Sequence, residues 1–290
     1  YYDHSGNLVS ETINGTRLWN MVSNDGTSQK TTMPQGTIDT KIDAEGRLQS
    51  KTYTIGQGNK ISFNYTYNKN TGNIISKVID YGTVRNIENY TYDATDRLLS
   101  VTMGGHNMQI SYAPNGNILS KTDIGAYTYE TTRPHAVASV ENKNKTISHE
   151  TQQITYTPFN KVKSIKEKVN GKYLELNITY GPDNQRVMTE LKADNKLQET
   201  RLYVGNFEQV IDQNNKTTNL LYITSPEGLT HIVANKQIYY ALTDHLGSVV
   251  RLYKNNTDLE FATTYDAWGT PTTTTNRTPW LRRVYCQHEH

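Results

Sequence analysis

The chain of 290 residues contains little of what builds covalent cross-links, metal sites and membrane spans. Cys286 is its one cysteine, which excludes an intrachain disulfide and a cysteine-based metal site. No run of 18 apolar residues occurs, so no segment is suited to cross a membrane as a helix. Only 34% of residues are hydrophobic, and phenylalanine occurs four times against 21 tyrosines. The core must therefore be thin and rich in tyrosine, whose ring can be buried while its hydroxyl finds a partner.

Neither sign of charge is in excess. The chain has 30 basic and 28 acidic residues, giving a formal net charge of +2, which argues against nucleic acid or an anionic membrane surface as a partner. Helical periodicity is missing too, because no window of ten residues carries apolar positions at i, i+3, i+4 and i+7. The closest candidate, residues 190–200, is predicted to be a long hairpin turn centred on Ala193, Asp194 and Asn195. The composition predicts a folded, all-β chain.

What the chain has in quantity is one recurring phrase. It combines a tyrosine, a four-residue turn, Arg or Asn, Leu and a Ser/Thr run. Clear copies are YDHSGNLVSET from Tyr2, IDAEGRLQSKT from Ile42, YDATDRLLSVT from Tyr92 and YAPNGNILSKT from Tyr112, with a copy longer by one residue from Tyr67 and looser copies from Val22, Tyr156 and Tyr180. Repetition at a short period indicates one small unit stacked many times.

Each copy contains the parts of a β-hairpin. Apolar and polar residues alternate before the turn, as expected for a strand with one buried side. Asp at the first turn position can accept hydrogen bonds from backbone amides, and Gly at the fourth accepts a positive φ. The substituted copies fit the same turn: Pro114, Pro158 and Pro182 stand at its second position, and Asn160, Asn184 and Asp96 stand at its fourth.

Two later segments follow the same D-x-x-G template. Asp244 and His245 resemble a catalytic pair, but turn chemistry already accounts for Asp244 and Gly247, so we expect Asp244 to open a turn with His245 at its tip. Asp266 and Gly269 enclose Trp268, which we expect to fill the interior of the sheet. We expect Trp19 and Trp280 to flank the ends of repeat units.

The remaining candidates for chemistry are weak. His288 and His290 are two residues apart at the end of the sequence, whereas a metalloprotease places two histidines four apart on a helix. Ser248 lacks the surroundings of a nucleophile elbow. Cys286 near His288 is a lone thiol. We therefore predict no catalytic residue, no metal site, no cofactor and no enzymatic activity.

On these residues the chain resembles the RHS/YD-repeat proteins, which include bacterial rearrangement-hotspot proteins, insecticidal toxin-complex shells and teneurins. The Y-D-x-x-G-[RN]-L phrase carries the resemblance through most of residues 1–190, and RPHAV at Arg133–Val137 is similar to an interruption found between the family's repeats. From Tyr203 through TDHLGS at Thr243–Ser248 to YDAWG at Tyr265–Gly269, the chain is similar to the RHS repeat-associated core. The Asn- and Lys-rich composition is similar to that of Bacteroidota members.

The resemblance implies a scaffold of hairpins that spiral into one curved sheet, forming a hollow shell around a C-terminal, toxin-like cargo polypeptide. It divides the chain into a YD-repeat array at 1–200 and a core module at 201–290 that ends before the family's aspartate-dependent self-cleavage motif. The implied partners are the rest of a parent shell and its cargo, with self-association through open sheet edges, and the implied location is secreted or on a bacterial surface. The alternative is a cell-surface adhesion or carbohydrate-recognition module with a glycan partner.

Overall fold

The computed structural model describes residues 1–143, 152–254 and 258–287. They form antiparallel strands throughout, and the only helical element among them is a 3₁₀ turn at Tyr285–Gln287. The chain divides into two compact units, Tyr1–Ile147 and Ser148–His290, called here the first and second units. The all-β prediction is confirmed. The predicted boundary at residue 200 follows sequence motifs and stays a prediction.

The first unit holds a 13-stranded sheet in which each strand pairs with its neighbours in sequence. Its strands are β1 (Ser10–Ile13), β2 (Thr16–Asn24), β3 (Ser28–Met33), β4 (Gly36–Ile42), β5 (Leu48–Ile55), β6 (Asn59–Tyr67), β7 (Ile74–Asp80), β8 (Arg85–Tyr92), β9 (Leu98–Met103), β10 (His106–Tyr112), β11 (Ile118–Lys121), β12 (Gly125–Tyr129) and β13 (Val137–Val140).

The second unit holds a 12-stranded sheet of the same kind. Its strands are β14 (Gln153–Tyr156), β15 (Val162–Val169), β16 (Lys172–Tyr180), β17 (Arg186–Ala193), β18 (Lys196–Val204), β19 (Phe207–Asp212), β20 (Thr217–Ser225), β21 (Gly228–Ala234), β22 (Gln237–Thr243), β23 (Val249–Tyr253), β24 (Leu259–Tyr265) and β25 (Pro271–Asn276). The resemblance implies one continuous sheet, and the described residues form two.

Local chemistry explains why the chain reverses where it does. The turn between β17 and β18 lies at Asp194 and Asn195, whose φ angles of 47° and 63° suit a tight hairpin. A chain reversal centred on these residues is therefore confirmed, but the predicted long turn is wrong, because residues 190–193 and 196–200 belong to β17 and β18. Asn160, Asn184 and Asp96 have φ angles of 60°, 59° and 62°, as predicted for residues that replace the turn glycine.

The copy predicted from Val22 is wrong as a YD turn. Asp25 N donates to Ser28 O (3.1 Å), and the carboxylate accepts from the amides of Thr27 and Ser28. This is a tighter reversal than in the clear copies, because three residues separate β2 from β3, whereas five separate β4 from β5. A copy that the sequence reading missed lies at Asp212, where Asn215 N donates to Asp212 O (2.9 Å) and Asn215 takes a φ of 61°.

The core of the first unit is one face of its sheet. Burial alternates residue by residue along β5 and β6, so that Tyr53 and Phe63 are fully buried. Their rings meet edge to face with centroids 6.4 Å apart. Trp19, at 0% exposure, is the fully buried tryptophan of β2. The predicted interior role thus belongs to Trp19, which lies within a strand and not at the end of a repeat, whereas Trp268 is half-buried in its turn.

Candidate functional site

The aspartate of the repeat holds its turn together through backbone amides. In the copy at Asp93, one carboxylate oxygen accepts from Thr95 N (2.9 Å) and Arg97 N (3.0 Å), while Arg97 Nε donates to the other oxygen (2.6 Å). The Arg97 backbone amide is the largest of the causes that hold the pKa of Asp93 well below its usual range. The same pair of amide contacts, two and four residues ahead, occurs at Asp3, Asp43, Asp212, Asp244 and Asp266.

Asp244 is therefore a turn residue, as predicted. Its carboxylate accepts from Leu246 N and Ser248 N, both at 2.9 Å, and Gly247 N donates to its carbonyl oxygen (3.2 Å). His245 lies half-buried at the tip of this turn. One of the two carboxylate oxygens of Asp244 is thus committed to the chain reversal.

The recurring tyrosine links each hairpin to the one before it. It ends the strand that leads into its own turn, and its hydroxyl donates to a backbone carbonyl at the start of the neighbouring strand, just after the preceding turn. The pairs are Tyr67 to Leu48 (2.8 Å), Tyr92 to Ile74 (2.8 Å), Tyr112 to Leu98 (2.9 Å), Tyr129 to Ile118 (2.9 Å), Tyr180 to Val162 (2.8 Å) and Tyr265 to Val249 (2.9 Å).

The arginine of one repeat covers the tyrosine of the next. The guanidinium of Arg47 lies 4.6 Å from the ring centroid of Tyr67, and that of Arg97 lies 4.7 Å from the ring centroid of Tyr112. Each arginine also pairs with the aspartate of its own turn. Asp, Arg and Tyr thus contact one another from one repeat into the next. These contacts, together with the tyrosine hydroxyl bonds to the neighbouring strand, are called here the repeat interlock. These contacts explain why Asp, Arg and Tyr recur in the phrase.

In the second unit, the buried carboxylate of Glu208 forms ion pairs with basic side chains. Glu208 and Arg201 are 0% and 1% exposed, and Arg201 Nη1 lies 2.7 Å from Glu208 Oε2. Arg283 Nε pairs with the other oxygen of Glu208, and Arg282 Nη2 lies 3.2 Å from Glu199 Oε2. Two glutamates of β18 and β19 therefore hold two arginines that follow the last strand. Pairing of this kind is what permits charges to remain inside a protein.

Aromatic rings surround this cluster. The guanidinium of Arg283 lies 5.0 Å from the ring centroid of Tyr222, whose hydroxyl lies 3.4 Å from Glu208 Oε2. Burial, followed by the neighbouring charge of Glu208, raises the pKa of Tyr222. The hydroxyl therefore stays protonated and can donate to the carboxylate.

Residues 278–287, called here the strap, include these two arginines and reach the two D-x-x-G turns. Arg201 Nη2 donates to the carbonyl oxygen of Trp280 (3.1 Å), and the Trp280 ring packs on Tyr239 with centroids 5.2 Å apart. Further along, Tyr285 packs on Tyr265, also at 5.2 Å. Burial raises the pKa of Tyr285 to about 12. The strap thus contacts side chains from β18 to β24.

The other candidates from the sequence do not assemble into a reactive site. Ser248 is fully buried, and its hydroxyl accepts from Cys286 N (3.1 Å). Cys286 is a half-buried free thiol, while His288 and His290 lie outside the described residues, so the pairing of Cys286 with His288 stays untested. Within the described residues, no group of three His, Cys, Asp or Glu side chains is placed to hold a metal ion. None of their helices is long and apolar enough to cross a membrane.

The sequence reading missed Arg201, Glu208 and Gly269. A signal was present for the first two, because period-two alternation places Arg201 on the face of Tyr203, and Glu208 on the face of Val210. A charge at an inward position of an apolar strand indicates a buried partner. Gly269 has no such local signal, because the turn alone already requires a glycine there.

These features define the class of protein: a scaffold of stacked hairpins joined through turn residues. The sequence matches the Teneurin YD-shell family over residues 1–285. The chain belongs to this family, which is a family of structural shells. No curated protein sequence matches the chain.

Solved structures show the same fold. The chain is similar to the pore form of the Photorhabdus luminescens Tc holotoxin (TM-score 0.61, 13% identity, 100% of this chain and 18% of that one). It is also similar to the TcdB2–TccC3 complex (0.61, 11%, 100% and 19%) and to the TcdB2–TccC3–Cdc42 complex (0.59, 12%, 100% and 19%). The chain spans about a fifth of the length of these chains. At such low identities the likeness concerns the fold.

Proposed function

We propose that residues 1–290 form a segment of the wall of a shell that encloses a cargo polypeptide, and that the intact protein is secreted or displayed by a bacterium. The segment acts as a scaffold and carries no self-cleavage activity of its own. Its partners are the remaining wall and the enclosed polypeptide. Membership of a shell family and the likeness to toxin-complex chains support this proposal.

The observation that carries the proposal is the repeat interlock. Strand succession without crossover, from β1 to β13 and from β14 to β25, builds a wall by adding hairpins at one edge. The tyrosine hydroxyls then tie each new hairpin to the previous one at its turn. A wall made in this way can extend for any number of repeats, which suits a container more than a compact binding module.

A protease-protection experiment tests the proposal on the intact polypeptide to which residues 1–290 belong. It is digested with proteinase K under native conditions and again in denaturant, and the surviving peptides are identified by mass spectrometry. We expect the enclosed sequence to survive native digestion and to be degraded once the wall is unfolded. Degradation of everything outside residues 1–290 at the same rate in both conditions would contradict enclosure.

Tyrosine variants link that result to the interlock. Replacing Tyr67, Tyr92 and Tyr112 together by Phe removes three hydroxyls that donate to carbonyls, and we expect protection of the cargo to weaken. The matched control replaces Tyr1 and Tyr173, which are 71% and 65% exposed, by Phe. The control is expected to leave the digestion pattern unchanged.

Adhesion or carbohydrate recognition remains the alternative from the sequence, and no specific observation in the described residues favours it. A sugar-binding face needs aromatic rings with free surfaces. Tyr67 and Tyr112 instead commit their hydroxyls to backbone carbonyls, and each is covered by a guanidinium. Binding of a defined glycan on an array would reverse this order of preference.

A further inference from the structure

The two D-x-x-G turns of the second unit hold residues that chain reversal does not require. In the first turn, Asp244 and Gly247 satisfy the template. Ser248 lies beyond it, is 0% exposed, and accepts from Cys286 N of the strap (3.1 Å). The next residue, Val249, donates its amide to the carbonyl oxygen of Val284 (2.8 Å). This turn therefore presents two hydrogen-bonding groups to the strap.

The second turn leaves room for a side chain of the strap. Gly269 has a φ of +86°, and a Cβ added to it would overlap the ring of Tyr285. Gly46 occupies the same position of a D-x-x-G turn with a φ of +81°, and a Cβ there would meet nothing within 4 Å. Both glycines serve the turn, but only Gly269 also makes room for a side chain of the strap.

The middle of the strap is held by charge. Glu208 pairs with Arg283, and Glu199 pairs with Arg282 at 3.2 Å. On either side of these arginines, Leu281 and Val284 are 6% and 7% exposed. Apolar burial, ion pairing and shape thus act together on one short segment, which is the usual composition of a docked peptide.

The strap nevertheless adds no strand to the sheet in the described part of the chain, where β25 is the last strand. Strands β14 to β25 hold one another through ladders of backbone hydrogen bonds, whereas the strap contacts them largely through side chains. Segments held in this way can open locally while the ladders remain intact.

We propose that the Asp244–Ser248 and Asp266–Gly269 turns, together with Glu199 and Glu208, form a docking site for residues 278–287 of the same chain. The strap binds to and leaves this site as one unit while the sheet stays folded. Ser248 and Gly269 are the residues of the two turns that select the strap. This inference does not depend on the enclosure of cargo.

Trypsin tests the proposal on the full chain, because it cleaves after Arg282 and Arg283, which are 35% and 25% exposed in the docked strap. Cleavage at these two bonds is followed by mass spectrometry. Gly269→Ala forces a methyl group into the Tyr285 ring, so we expect cleavage to become about 10-fold faster. Tyr285→Ala removes the ring itself and is expected to have a similar effect.

Two controls keep the result interpretable. Gly228→Ala places a Cβ at a φ of +101° in the same unit, with nothing within 4 Å, and measures backbone strain alone. We expect its cleavage rate to stay within about twofold of the unmodified chain. The double variant Gly269→Ala/Tyr285→Ala should be cleaved no faster than either single variant, because both remove the same contact.

Hydrogen exchange of the β19–β22 amides shows whether the strap opens independently of the sheet. The proposal expects these amides to keep their protection in Gly269→Ala while the strap amides lose theirs. Equal cleavage of Gly269→Ala and Gly228→Ala would overturn the docking role of Gly269. Loss of protection in β19–β22 together with the strap would overturn independent docking.

Discussion

In the first unit the strands bury one face of the sheet, whereas many strands of the second unit bury both faces. Along β5 and β6 in the first unit, buried residues occur at every second position. Along β21 and β22, four buried residues follow one another. The difference shows that the same hairpin unit can serve as a one-sided wall or as a sheet covered on both faces.

The units also differ in how they neutralise buried charge. In the first unit, Lys77 of β7 lies 2.8 Å from Glu88, its direct partner on β8, so the pair needs only one hairpin. In the second unit, Arg201 and Glu208 depend in addition on the strap, which is distant in sequence. Charge pairing is local in the first unit and joins distant segments in the second.

The largest expected effect is in the buried ion cluster. Arg201→Met leaves Glu208 without its closest basic partner on the sheet, and we expect the second unit to lose about 3–5 kcal/mol of unfolding free energy. Urea unfolding measures this. The matched control is Arg133→Met in the first unit, whose side chain is 71% exposed in its ion pair with Glu130; this change should cost less than about 1 kcal/mol. A loss below about 1 kcal/mol for Arg201→Met would show that the cluster contributes little.

The next effect is a dependence on pH that belongs to the second unit. His231 is 0% exposed beside Tyr240 and Thr230, and burial lowers its pKa to about 4. Below the ordinary pKa of 6.5 the unfolded chain takes up a proton that the folded chain refuses. Stability should therefore fall as the pH drops from 6.5 to about 4, by roughly 3 kcal/mol.

Urea unfolding across this pH range isolates the histidine. His231→Gln should remove this part of the pH dependence, whatever it does to stability at neutral pH. His106→Gln, at an exposed position of the first unit, should retain the full dependence. An unchanged slope in His231→Gln would show that other groups are responsible.

The smallest effect compares one interlock tyrosine from each unit. Tyr265 is 8% exposed, whereas Tyr112 is half-buried. Phe at either position leaves a carbonyl without its hydroxyl donor, and the cost rises with burial. We expect Tyr265→Phe to cost about 1–3 kcal/mol and Tyr112→Phe about 0.5–1.5 kcal/mol in urea unfolding. A larger loss at Tyr112 would contradict this order.

The sequence predicted the features that depend on residues close together in the chain. Asp43 and Gly46 are three residues apart, and their turn follows from their own backbone preferences. The same holds for Asn160 and Asn184, which take the positive φ expected of them. Strand alternation, fixed by a period of two, predicted the strands and the all-β class for the same reason.

What the sequence did not predict depends on residues far apart in the chain. The carbonyl partner of Tyr67 lies 19 residues earlier, and Arg201 meets the carbonyl of Trp280 across 79 residues. Turn chemistry was sufficient to explain Gly269, so its contact with the strap left no separate mark in the sequence. The choice of Trp19 over Trp268 for the interior likewise depends on which strand faces the core.

Equilibrium unfolding of a single variant tests whether the recurring tyrosine joins one hairpin to the next. The variant replaces Tyr67, Tyr92, Tyr112 and Tyr129 by Phe, which removes four interlock hydroxyls from the first unit and none from the second. We expect the first unit to unfold at lower urea concentration, with a loss of unfolding free energy near the sum of four single hydrogen bonds of about 1 kcal/mol each, while the second unit is unchanged. An unfolding curve that superimposes on that of the unmodified chain would contradict it.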